Sequence, residues 1–103
     1  MVGVDDGLDV TVTSETGVRR VSLGGELDVI AATRLWTVLS ELEGPGPVVV
    51  DLADLSFIDS MGLSTLLRAK KRADDLGFDF RLTNPSERVR EIFQVVGLNQ
   101  MLE

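Results

Sequence analysis

The stretch from Val48 to Gly62, VVVDLADLSFIDSMG, most constrains what this chain can fold into: a short apolar strand, an acidic loop, then Asp59-Ser60-Met61-Gly62 leading straight into a helix. Val48, Val49 and Val50 show no polar alternation, which predicts an interior strand of a covered parallel sheet. Sites in such sheets gather beyond the carboxyl ends of the strands, and Ser60 falls at that edge, at a helix N-terminus. Gly62 in the first turn costs a helix about 1 kcal/mol relative to alanine, so something is expected to approach the backbone closely there. A partner surface would account for it.

The flanking pattern supplies the rest of an α/β domain. Leu8, Val10 and Val12 alternate with polar residues, as do Val18, Val21 and Leu23, predicting a hairpin around Glu15-Thr16-Gly17, with Gly24-Gly25 breaking the second strand. After Asp28 the period changes, and Ala31, Leu35, Val38, Leu39 and Leu42 fall on one helical face that Gly44-Pro45-Gly46-Pro47 ends. A second amphipathic helix carries Leu63, Leu66, Leu67, Ala73 and Leu76, with Gly77 as its C-terminal cap. Phe78, Phe80 and Leu82 alternate as a last strand. Asn84-Pro85-Ser86-Glu87 reads as a helix start with Asn84 at the cap, and Val89, Ile92, Phe93 and Val96 form the buried stripe up to Gly97.

The order is therefore β-β-α-β-α-β-α, implying right-handed βαβ units with only the first hairpin antiparallel. The fold class expected is α/β, a single domain over residues 1–103 with a four-stranded mixed sheet and helices packed mainly on one face. Glu26, Asp28, Asp54, Asp59 and Ser60 are expected to meet at one edge of that sheet.

Composition decides among function classes. A formal net charge of −7 argues against nucleic acid as the main partner, since phosphate backbones are bound by basic surfaces. The cluster Arg68, Lys70, Lys71, Arg72 is the exception, and it reads as a solvated helix face. No apolar run approaches the roughly 18–20 residues that span a bilayer, and MVGVDDGLDV lacks the regions of a signal peptide, so no membrane is expected and the cytoplasm is the default address. With no cysteine and no histidine, thiolate chemistry, Ser-His-Asp catalysis and histidine ligation of metals are excluded. Gly24-Gly25 is not a dinucleotide fingerprint and no phosphate loop occurs, so no cofactor is expected.

Three readings of the acidic segment stand side by side. Asp51, Asp54 and Asp59 could hold Mg²⁺, although acidic residues at such positions also form turns and helix caps. Asp51 closing an apolar strand is where a receiver domain accepts phosphate; such a domain also needs an acidic pair after its first strand and a lysine after a later one, where this chain has Ser14-Glu15-Thr16 and Thr83-Asn84-Pro85. For Ser60 the plain reading is a helix cap supplied by Asp59 or by Ser60 itself.

Taken together, Gly25-Glu26-Leu27-Asp28, Val49-Val50-Asp51-Leu52, Phe57-Ile58-Asp59-Ser60-Met61-Gly62-Leu63 and Val96-Gly97-Leu98 resemble the anti-sigma-factor antagonists of the STAS-domain family over nearly the whole chain. Met61 stands where that family often has a small hydroxyl residue. The resemblance implies a non-enzymatic binding module whose Ser60 is phosphorylated by an anti-sigma factor that is itself a serine kinase. It further implies that the unphosphorylated form binds this partner and frees the sigma factor, that a phosphoserine phosphatase resets it, and that it is a monomer when free. The expected docking residues are Glu26, Asp28, Asp54, Asp59, Ser60, Met61, Gly62 and Ser64. A scaffold of the same fold that is never phosphorylated is the remaining reading.

Overall fold

Positive φ at both Thr16 (49°) and Gly17 (83°) closes a two-residue hairpin between β1 (Leu8–Glu15) and β2 (Val18–Leu27), the backbone geometry whose twist matches paired antiparallel strands. The structure, a computed structural model, describes residues 7–42 and 46–103. The chain continues through α1 (Val29–Ser40), β3 (Val48–Ile58), α2 (Ser60–Leu76), β4 (Phe80–Thr83) and α3 (Glu87–Val95) to a single 3-10 turn at Asn99–Met101. The sheet order is β1-β2-β3-β4, antiparallel for the first pair and parallel for the other two, as the alternation of elements implies. Leu102 extends it slightly through an isolated bridge to Leu82.

Several local readings change. Gly24-Gly25 does not end β2: the strand absorbs two register shifts there and keeps pairing with β3 as far as Leu27. The acidic segment after Val50 is strand rather than loop, because β3 runs on to Ile58. Its burial is one-sided, with Val48 and Val50 inside and Val49 only half-buried, so the triple valine marks a strand at the middle of a sheet rather than one covered on both faces. Phe78 precedes β4 and packs against the core from outside the strand. The Gly44-Pro45 part of the predicted helix stop lies outside the described residues.

Helix ends differ in an instructive way. Gly77 caps α2 in the left-handed conformation, as its position implied. Asn84, by contrast, is not the cap of α3; it takes a positive φ of 54° in the preceding turn. Ser86 does the capping, accepting from the Val89 amide, while its hydroxyl donates to the Leu55 carbonyl at 2.7 Å and so ties α3 to β3. Moving the cap by two residues shortens α3, and its buried face reduces to Val89 and Phe93, with Val96 exposed.

One core joins all three helices to the sheet. In α2 the buried face is Leu63, Thr65, Leu66, Ala69 and Ala73, and Leu67 and Leu76 point outward. Thr65 is tolerated inside because its hydroxyl donates to the Met61 carbonyl at 3.0 Å. Gly62 is also buried, and a Cβ there would lie 2.7 Å from both the Leu27 carbonyl oxygen and the Leu27 Cγ, and 2.9 Å from Ile58 Cγ1. The close approach read from Gly62 is therefore intramolecular: the first turn of α2 packs directly on the ends of β2 and β3, and no partner surface is needed to account for it. Gly62→Ala is expected to cost about 2–3 kcal/mol of unfolding free energy through overpacking, within the range of about 2–5 kcal/mol for the core truncation Leu66→Ala. Urea denaturation of both variants checks this, and an unchanged midpoint for Gly62→Ala would contradict the packing account.

Candidate functional site

Helices α1 and α2 start side by side because β2 and β3 end side by side: Leu27 pairs with Ile58, and each strand is followed at once by an aspartate and a helix. Asp28 caps α1, its Oδ1 accepting from both the Ile30 and Ala31 amides at 3.1 Å. Asp59 caps α2 through Oδ1, which accepts from the Gly62 amide at 2.9 Å. Its second oxygen, Oδ2, accepts from the Val29 amide at the start of α1 at 3.0 Å, and its own backbone N–H donates to the Leu27 carbonyl at 3.1 Å. One carboxylate thus serves the N-termini of both helices, where unpaired amides and the helix dipole favour a negative charge.

Asp59, not Ser60, is therefore the cap of α2. Ser60 occupies the first helical position with an exposed side chain, released from the structural task that its sequence position offered it. Ser64, one turn later, is exposed on the same face.

The remaining expected docking residues divide. Glu26 is exposed opposite Phe57, close to the strand ends, and Met61 is exposed beside Ser60. Asp54 lies further back along β3, opposite Gly24, and is not part of the group at the edge. Asp28 and Asp59 are half-buried and engaged in capping, and Gly62 is buried. Met61 apart, sequence reasoning missed the exposed apolar residues near this edge: Val29 and Ile30 in the first turn of α1, 55% and 68% exposed, and Phe57 near the end of β3. The clue was present, since Val29 and Ile30 fall outside the Ala31, Leu35, Leu39 stripe that α1 buries.

Asp51 lies mid-strand, seven residues before the end of β3 at Ile58, whereas a receiver-type acceptor stands at the carboxyl end. Its oxygens accept from the Ala53 amide at 2.9 Å and approach Arg20 at 3.8 Å. Among the described residues no three carboxylates converge closely enough to hold a metal ion, and no helix is long and apolar enough to cross a membrane.

A family model for the STAS domain matches residues 9–103. The chain belongs to the STAS-domain family. It is similar to the anti-sigma-B factor antagonist of Staphylococcus epidermidis, 30% identical over 97 residues that cover 92% of this chain and 90% of the relative. Among solved structures it resembles the anti-sigma factor antagonist SpoIIAA in its unphosphorylated form, with a TM-score of 0.74 and 25% identity over 92% of this chain and 86% of that one. The phosphorylated form of SpoIIAA, the Bacillus cell fate determinant, matches with a TM-score of 0.73 and 24% identity over 92% and 89% of the two chains. This STAS domain has the four-stranded mixed sheet with three α-helices expected of it.

The two capping aspartates make a discriminating pair. Both Asp28 bonds end on one oxygen, so Asp28→Asn keeps them and is expected to lose no more than the charge–dipole share, about 0.3–1 kcal/mol. Asp59 uses both oxygens, so Asp59→Asn points an amide NH₂ at either the Gly62 or the Val29 N–H, with an expected cost of about 1–2 kcal/mol. Urea unfolding of the two variants gives the ordering; equal costs would mean that the Val29 bond contributes nothing.

Proposed function

We propose that this STAS domain is an anti-sigma-factor antagonist, a binding module whose unphosphorylated form docks an anti-sigma factor through the edge around Ser60 and is switched off when Ser60 is phosphorylated. The observation that carries this reading is the division of labour at the head of α2. Asp59 holds the cap while the Ser60 hydroxyl, one residue on, is exposed beside exposed Met61, at a helix start tied to that of α1 with its exposed Val29 and Ile30. Exposed apolar residues at the same edge as one hydroxyl suit a protein partner that buries them and is repelled once the hydroxyl carries charge. The name of the S. epidermidis relative and the SpoIIAA likeness support the antagonist role. We further infer that the phosphoryl donor is an anti-sigma factor acting as a serine kinase, that a phosphoserine phosphatase reverses the step, and that both act in the cytoplasm.

The energetics fit a docking switch rather than an unfolding switch. A phosphate adds about −1.5 to −2 charges at neutral pH, and a helix N-terminus tolerates it. The cost falls on whatever packs over Ser60: charges of one sign facing each other across an interface cost several kcal/mol, against about 5.5 kcal/mol to turn a mostly formed complex into a mostly dissociated one. Two forms of SpoIIAA that differ in phosphorylation match this chain almost equally, which supports a modification that leaves the fold in place.

Phosphopeptide mapping after incubation with the kinase and ATP is expected to find Ser60, with labelling lost in Ser60→Ala. Ser60→Ala should bind the anti-sigma factor and remain bound with ATP present. Ser60→Asp should bind more weakly than wild type but less weakly than the phosphoprotein, because a carboxylate supplies about one charge where phosphate supplies up to two. Titration calorimetry of the four forms gives the ordering, and equal affinity of phosphorylated and unphosphorylated protein would return Ser60 to a structural role.

A further inference from the structure

The basic cluster of α2 is more than a solvated face. Arg68, Lys71 and Arg72, with Leu76 and one carboxylate, Asp75, line one side of an open groove of about 420 Å³ whose other wall is Trp36 of α1. The fourth cation, Lys70, pairs with Asp74 at 3.0 Å, but among the described residues no carboxylate pairs with Arg68, Lys71 or Arg72. Three cations against one carboxylate leave the groove net positive in a chain of net charge −7. The Arg68 guanidinium lies over the Trp36 ring, 3.9 Å from its centroid, a contact that restricts the freedom of the side chain. A guanidinium held this way binds a carboxylate in two-point fashion with little further ordering.

We propose that this groove receives an acidic segment of the same protein that docks over Ser60, a proposal that rests on the partner-binding reading of that edge. Arg68 follows Ser60 by eight residues, which places it roughly 12 Å further along α2, with exposed Ser64 and Leu67 between them. A partner of ordinary footprint, about 800 Å² on each side, spans both positions. The apolar end around Ser60 and the basic end around Arg68 then form one surface with two chemistries, the first sensitive to phosphorylation and the second fixing register and orientation. Charge selects the occupant. Nucleic acid and anionic lipid present extended negative surfaces that the rest of this acidic molecule repels, whereas a short run of Glu and Asp beside apolar side chains meets only the groove.

The probe is a short fluorescein-labelled peptide of Glu and Asp residues around a pair of leucines, compared with its Gln and Asn analogue, measured by anisotropy and by the fluorescence of the sole tryptophan, Trp36. Saturable binding is expected for wild type and equally for Ser14→Ala, a change at an exposed position of β1. Affinity should fall by about tenfold or more for the neutral analogue and for the combined variant Arg68→Gln, Lys71→Gln, Arg72→Gln, provided that its melting temperature is unchanged. Lys71→Glu alone, which leaves the Arg68–Trp36 stack intact, should weaken binding in the same direction. No saturable response at low-millimolar peptide, or undiminished binding by the combined variant or the neutral analogue, overturns the proposal. Tighter binding of a DNA duplex or of phosphatidylserine vesicles than of the peptide overturns it as well. Since the peptide measurement uses the unphosphorylated protein and neither kinase nor ATP, failure of phosphate control at Ser60 would count against the switch and leave this measurement standing.

Discussion

A single carboxylate with its two oxygens assigned to different helices organises this molecule. Asp59 ends β3, caps α2 with one oxygen and holds the first amide of α1 with the other, while its backbone N–H reaches the last residue of β2. Four elements are thereby fixed at one point. The adjacency of the two helix starts, and with it the exposure of Val29, Ile30 and Met61 at one edge, follows from that geometry together with the Leu27–Ile58 pairing. Were the cap supplied by a serine instead, that hydroxyl would be committed to the helix and would be unsuited to signalling.

Rigidity at this edge comes from below. Gly62 lets the first turn of α2 rest on Leu27 and Ile58, both of them core residues, so the position of Ser60 is set by the same packing that stabilises the domain. A residue presented this way has a defined place relative to any docked surface. Exposed side chains a few ångströms above a close-packed floor can carry a large change of charge without the floor moving.

The sequence disclosed the order of elements and the mixed sheet because each rests on strong local rules: alternation in β1 and β2, a 3.6-residue stripe in α1, and Gly77 after the last turn of α2. What it hid depends on tertiary contacts. The two glycines of β2 look like a break until β3 is beside them to hold the bulged strand. Asn84 and Ser86 are both good caps on local grounds, and the choice falls to Ser86 because its hydroxyl can also reach the Leu55 carbonyl. Gly62 announced a close neighbour but could not say whose, and the packing names Leu27. Asp59 and Ser60 were equivalent candidates for the α2 cap until the Val29 amide supplied a second partner for the carboxylate.

Strand order in the sheet repeats strand order in the chain, β1-β2-β3-β4, with nothing inserted between neighbours. Each strand therefore pairs with the strands next to it in sequence, and no pairing has to wait for a distant segment of the chain. The β1–β2 hairpin forms on local contacts alone, and β3 then needs only the closure of one helical connection to add beside it. Since β3 delivers Asp59 and Ser60, the edge that carries them rests on a strand whose sheet partners are its nearest strands in the chain.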